Sequence, residues 1–109
     1  MKTEEFRTVY NNGKSHANEY LIMYTLQNGS EHNRFGVSAS KKVGNSVVRH
    51  RMARLLRECF RLCGEDLRKG YDIVVVVRPS AAQFGYFQMR DAYMNLCRRH
   101  RLLSGESER

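Results

Sequence analysis

The sequence predicts a small α+β sandwich, a central sheet with helices packed against it. Three observations carry that prediction. Hydrophobic periodicity alternates between helical and strand spacing in the order α-β-β-α-β-α, with room for a short extra strand in Lys14–Ala17. Tyr71–Arg78, YDIVVVVR, is a near-continuous β-branched run, as expected of a central strand covered on both faces. Lys41–Arg61 joins a wide apolar stripe to a dense basic one, so a helix there has one face for the core and another for something else. A chain of 109 residues is one domain long, 1–109, and 41% hydrophobic content suffices for one modest core.

Thr3–Asn12 reads as a helix. Thr3 can cap it, Glu4 and Glu5 suit the positive end of the helix dipole, and Gly13 stops it. Phe6, Val9 and Tyr10 form one stripe at i, i+3 and i+4. Glu19–Leu26 reads as a strand with Tyr20, Ile22, Tyr24 and Leu26 on one side and Leu21, Met23 and Thr25 on the other. Neither side is charged, so both are covered, or one is covered by a partner. Gln27–Asn33 is expected to be a polar hairpin loop around Asn28-Gly29-Ser30. Arg34–Ser40 returns as a strand whose Gly36, Ser38 and Ser40 face is small enough for close approach.

A helix over Ser46–Cys63, capped by Asn45 or Ser46, places Val48, Met52, Leu55, Leu56, Cys59, Leu62 and Cys63 on one side, with Ala53 and Phe60 at the margin. His50, Arg51, Arg54, Arg57 and Arg61 take the other side with Glu58, and Arg49 falls at the flank. Tyr86–Leu103 is a second amphipathic helix, with Met89, Tyr93, Leu96 and Cys97 inward. Its last turns carry Arg98, Arg99, His100 and Arg101, which suit a helix C-terminus and also form a smaller basic patch. Ser104–Arg109 reads as a frayed tail.

Charge identifies the class of partner. Lys41–Arg61 holds seven of the nineteen Lys and Arg residues against one acid, leaving +6 of the chain's +8 in one segment. That concentration on a folded face points to a nucleic acid. A membrane surface fits less well, because the helix lacks Trp and its apolar face is needed for the core. Phe6, Tyr10, Tyr20 and Tyr24 are candidates either to stack unpaired bases or to pack in the core. The N-terminus has no apolar secretory core, and no run is long enough to span a membrane. Cys59, Cys63 and Cys97 suit a reducing cytosol as small buried hydrophobes; a zinc site with His100 is the alternative. The histidines are scattered, and Glu65, Asp66 and Asp72 read as solvated acids, so no catalytic residue is expected in this chain.

Several linked motifs in order then resemble the bacterial ribonuclease P protein family. They are Phe6–Gly13, Arg34-Phe-Gly-Val-Ser38, the signature Lys41-Lys-Val-Gly-Asn-Ser-Val-Val-Arg49-His-Arg-Met-Ala-Arg54-Leu-Leu-Arg57-Glu58, and Gly70-Tyr-Asp-Ile-Val-Val-Val-Val-Arg-Pro79. The resemblance covers Thr3 to Arg101. It implies an α-β sandwich like a domain of ribosomal proteins and translational GTPases, a mostly antiparallel sheet and a left-handed β-α-β crossover through the basic helix. It implies a protein subunit with two partners, a catalytic ribonuclease P RNA and precursor tRNA, and no obligate protein partner. Hydrolysis would be carried out by the RNA with Mg²⁺ held by RNA and substrate. On this chain the family's 5′ leader cleft corresponds to Phe6, Tyr10, Ile22, Tyr24 and Leu26, with Arg49 assigned to leader phosphate. Lys41, Lys42, His50, Arg51, Arg54, Arg57 and Arg61 are assigned to the catalytic RNA. The chain departs from the pattern at His50, where the family has Asn, at Ala53, where it often has Lys, and in a basic N-terminal arm reduced to Lys2. A ribosomal or RNA-chaperone-like protein of the same fold is the competing reading.

Overall fold

The computed structural model describes residues 1–104. Helix α1 (Thr3–Asn12) leads into strands β1 (Lys14–Ala17), β2 (Leu21–Gln27) and β3 (Arg34–Ala39). Helix α2 (Ser46–Cys63), strand β4 (Tyr71–Val77) and helix α3 (Tyr86–Arg99) follow. The sheet order is β1-β2-β4-β3, with β3 and β4 parallel and the other pairs antiparallel. The short strand at 14–17 is therefore real and forms one edge.

The expected hairpin is not formed, because β4 separates β2 from β3. Ile73, Val74 and Val75 are fully buried, and only the middle of the sheet covers both faces of such a run. The 28–33 loop instead spans the start of β4. The Asn28 N–H donates to the Gly70 carbonyl at 2.9 Å, and the Tyr71 N–H donates to Asn33 Oδ1 at 2.9 Å.

The two faces of the sheet are covered unequally. Leu21, Met23, Ile73, Val75 and Val77 pack with Met52, Leu56 and Cys59 of α2 and Met89, Tyr93, Leu96 and Cys97 of α3. At the margin of this core Phe60 stacks on Phe35 at 4.6 Å. Asn45 caps α2 by accepting the Val48 N–H at 3.1 Å. Leu62, expected inward, is 55% exposed; Leu67, beyond the helix, is buried.

Helix α3 stops at Arg99, short of the expected Leu103. Its end is a Schellman motif: Leu102 N–H bonds to the Cys97 carbonyl and Arg101 N–H to that of Arg98. Arg101 takes the left-handed conformation, φ 56°, where glycine is usual, so the sequence carries no stop signal there. Leu103 pairs with Leu67, and Ser104 bonds to the Asp66 carbonyl. Residues 105–109 of the expected tail lie outside the described residues.

Among the described residues, the second face carries only α1. Its N-cap is Lys2, not Thr3, with Glu5 accepting the Lys2 N–H at 2.7 Å. Gly13 ends the helix in an extended conformation rather than a left-handed cap. A Cβ there would lie 2.7 Å from the Thr25 carbonyl oxygen, so glycine is required by the approach to β2. At the other end Phe6 lies on Gly36, where an added Cβ would sit 2.6 Å from the ring. Gly36→Val should lift Phe6 and destabilise the protein by about 1–3 kcal/mol, the usual cost of overpacking. Urea denaturation with unchanged stability would show that Gly36 does not seat the helix.

Candidate nucleic-acid interface

Strand register arranges the α1 face of the sheet in rows. Ser15, Tyr24, Val74 and Gly36 form one row, and Ala17, Ile22, Val76 and Ser38 form the next. Helix α1 crosses the first row. Phe6 meets Gly36 and the Tyr10 ring meets Tyr24 edge-on at 4.9 Å. Among the described residues, no helix lies over the second row. Ile22, Val76 and Ser38 are half-exposed there, although Val74 beside them is buried. The result is an apolar shelf with an aromatic wall of Phe6, Tyr10 and Tyr24, each half-exposed. Leu26 shares this face but falls in the row of Asp72 and Arg34, on the other side of the first row. Val76 and Ser38 were not among the expected cleft residues. Only the register of β4 between β2 and β3 brings them beside Ile22. Tyr20 is drawn away from the cleft and packs on Phe84 at 4.7 Å.

The wall is fixed by charge. Asp72, expected to be solvated, is only 4% exposed. Arg34 grips it with Nε on Oδ1 at 2.8 Å and Nη2 on Oδ2 at 2.5 Å, and Asn28 donates to Oδ1 at 3.0 Å. These hydrogen bonds hold the Asp72 carboxyl below its usual range. The remaining Nη1 of Arg34 pairs with Glu5 of α1.

The outer face of α2 divides into free and committed cations. Lys41, Lys42, His50, Arg54 and Arg57 are exposed, and their side chains make no hydrogen bond or ion pair to any described residue. Arg51 is not free. Its guanidinium donates to the carbonyls of Phe84 at 2.9 Å and Ala82 at 2.8 Å, in the loop before α3. Arg61 pairs with Glu58 three residues back. Arg49 lies in a depression of about 240 Å³ with Val37, Ala39, His50, Ala53 and Arg57 at the edge strand β3. Its Nε is buried without a protein partner. Arg49 thus keeps company with the α2 cations, and β3 stands between it and the shelf.

The expected basic patch at the end of α3 is partly structural. Nε2 of His100 faces the Met23 carbonyl at 2.9 Å and so must carry its proton; Nδ1 then accepts from the Thr25 hydroxyl at 3.1 Å. Arg99 donates to the Ala17 carbonyl. Burial lowers the His100 pKa to about 4. Cys59 and Cys97 are buried thiols pushed up to about 12, so they are protonated packing groups. Among the described residues, no three His, Cys, Asp or Glu side chains come together in a way that could hold a metal ion.

A single compact sheet with one sealed face, one half-open face and a free cationic helix accommodates the motifs seen in the sequence, and comparison decides the family. The Ribonuclease P family model matches residues 1–101. The chain belongs to the ribonuclease P protein family. It is similar to the ribonuclease P protein component of Lachnoclostridium phytofermentans, 47% identical over 94% of this chain and 88% of that protein. It is also similar to that of Caldanaerobacter subterraneus subsp. tengcongensis, 46% identical over 90% and 84%. The Staphylococcus aureus RNase P protein structure superimposes with a TM-score of 0.88 at 30% identity, covering 95% of each chain. The Thermotoga maritima protein gives 0.84 at 29%, covering 91% of this chain and 94% of that one. As a family member the chain is the protein subunit of an endoribonuclease whose catalysis is carried by RNA.

Two outcomes follow. In binding to ribonuclease P RNA, Arg54→Ala or Arg57→Ala should each reduce the log–log salt slope by about 0.7–0.9, the contribution of one phosphate. Arg51→Ala should lower the melting temperature and leave that slope unchanged; an equal loss of slope would make Arg51 a phosphate contact. The second outcome concerns pH. Because the folded His100 pKa lies below the ordinary 6.5, its contribution to stability is complete above pH 6.5. That contribution is lost as pH falls toward about 4. Thermal melts between pH 7 and 4.5 should fall more steeply for the wild type than for His100→Gln. Parallel curves would contradict the assignment.

Proposed function

We propose that the subunit serves ribonuclease P through two separate RNA surfaces. The exposed cations of α2 and the turn before it, Lys41, Lys42, His50, Arg54 and Arg57, bind the phosphate backbone of the catalytic RNA. Arg51 and Arg61 shape that face by holding the loop before α3 and Glu58. The cleft between α1 and the sheet takes the single-stranded 5′ leader of precursor tRNA. Bases stack on Phe6, Tyr10 and Tyr24 and rest on Ile22, with Val76 and Ser38 extending the floor. Leu26 backs the wall from the far row. A strand crossing the shelf from Ile22 through Val76 to Ser38 leaves the sheet at β3, where Arg49 stands ready for a leader phosphate. Mg²⁺ is held by the RNA and substrate, while Asp72, Glu5 and Glu58 of this chain are paired with arginines. The complex works in the cytoplasm, where the chain's thiols stay reduced.

The observation that carries this reading is the uncovered row Ile22–Val76–Ser38 beside three half-exposed aromatic rings. Reconstitution with ribonuclease P RNA at low Mg²⁺ tests it. Tyr24→Ala should weaken leader-bearing precursor about tenfold, within the range for one stacked base, and leave mature tRNA binding unchanged. Ser38→Glu and Arg49→Ala should discriminate in the same direction. Equal losses for precursor and mature tRNA would contradict the cleft assignment. Failure to enhance the RNA at all would favour the ribosomal or chaperone-like reading.

A further inference from the structure

One cavity belongs to neither RNA surface. It is an open depression of about 510 Å³ between the β1–β2 turn and the first half of α3. Tyr20, Phe84 and Ala92 line its apolar part, and the two rings contact each other at 4.7 Å. Gln88, Asp91 and Asn95, at i, i+3 and i+7, share the helix face that borders it.

The amide orientations here are dictated by their neighbours. Asn18 Oδ1 accepts the N–H groups of Tyr20 at 3.0 Å and Leu21 at 2.8 Å. Its amino group is therefore turned to the Ala92 carbonyl and Asn95, at 3.0 and 3.2 Å. Asn95 must meet that donor with its oxygen, which leaves its own amino group unused. Gln88 Oε1 accepts the Gly85 N–H at 2.9 Å, so its amino group is also unused. Between them Asp91 is 76% exposed, and its one ion-pair contact among the described residues, to Arg90, is long at 3.5 Å. The border thus presents two fixed donors around one available carboxylate, over an aromatic floor.

We propose that this depression binds an unpaired guanine base. Guanine alone among the RNA bases sets two adjacent N–H donors, N1 and N2, beside a carbonyl acceptor, O6. The Asp91 carboxylate accepts both N–H groups, and a Gln88 or Asn95 amino group donates to O6. Adenine and cytosine present a ring-nitrogen acceptor where the carboxylate requires a donor, and uracil offers a single N–H. Glu19, on the opposite rim, together with Asp91 repels phosphate, so the base enters and its backbone stays outside. This inference rests on RNA being the partner, and it adds a base-reading site to two surfaces that otherwise recognise phosphates and ring faces.

The test is an NMR titration of the full chain with guanosine, inosine, adenosine and uridine, which carry no phosphate. Guanosine should shift the side-chain amino signals of Gln88 and Asn95 and the Asp91 amide. Inosine, lacking the 2-amino group, should bind more weakly, and adenosine and uridine should leave those signals unmoved. Asp91→Ala, at an exposed position, should weaken guanosine by about tenfold or more, the cost of losing hydrogen bonds to a charged group. No response, an equal response to all four nucleosides, or guanosine binding unaltered in Asp91→Ala would overturn the proposal. A silent pocket in a sample that still binds ribonuclease P RNA overturns this inference alone.

Discussion

The pairing of Arg34 with Asp72 determines what the second face of the sheet can be. A carboxylate in the first turn of a central strand is costly to bury, and the bidentate guanidinium at 2.8 and 2.5 Å offsets that cost. Arg34 sits on the neighbouring parallel strand, directly opposite Asp72 in register. Its third nitrogen reaches Glu5, so the same residue that neutralises the sheet also tethers α1. With Phe6 over Gly36 and Gly13 against Thr25, the helix is held at both ends. Ile22 and Val76, left half-exposed by that placement, form the shelf. A helix seated one row over would have sealed Ile22 and Val76 and left no cleft.

The other face shows a complementary division. Helices α2 and α3 seal it with a continuous core, and α2 turns its cations outward. Those cations are not equivalent. Where a carbonyl or carboxylate lies within reach, as for Arg51 and Arg61, the guanidinium is used internally. Where none does, as for Arg54 and Arg57, the guanidinium stays exposed and unpaired among the described residues. A cluster of like charges next to a sealed core costs self-repulsion, which a bound RNA would relieve. The His100 contact with Met23 and the Arg99 contact with Ala17 are a similar conversion of basic residues into clamps.

Elements with strong local periodicity were legible in the sequence: α1 and α2 begin and end where the pattern predicts, and Tyr71–Val77 is the central strand. The family motifs made the RNA subunit legible as a partner as well. What failed depended on long-range partners. The separation of β2 from β3 comes from β4 inserting between them, and nothing inside Gln27–Asn33 reports it. Asp72 looked solvated because its partner lies 38 residues away. The end of α3 was missed because Arg101, not glycine, adopts the left-handed turn. Sidedness along α2 placed Arg51 outward correctly, and periodicity has no way to show that the Phe84 and Ala82 carbonyls are waiting there.

The most direct test of the two-surface account is ultraviolet cross-linking of the assembled complex, with photoreactive uridines placed separately in the precursor leader and in the RNA subunit. Mass spectrometry of the protein should locate leader cross-links in peptides of α1 and β2, at Phe6, Tyr10 or Tyr24. Cross-links from the RNA subunit should fall in Lys41–Arg57. Leader cross-links concentrated on the outer face of α2, with none at the aromatic wall, would contradict the account.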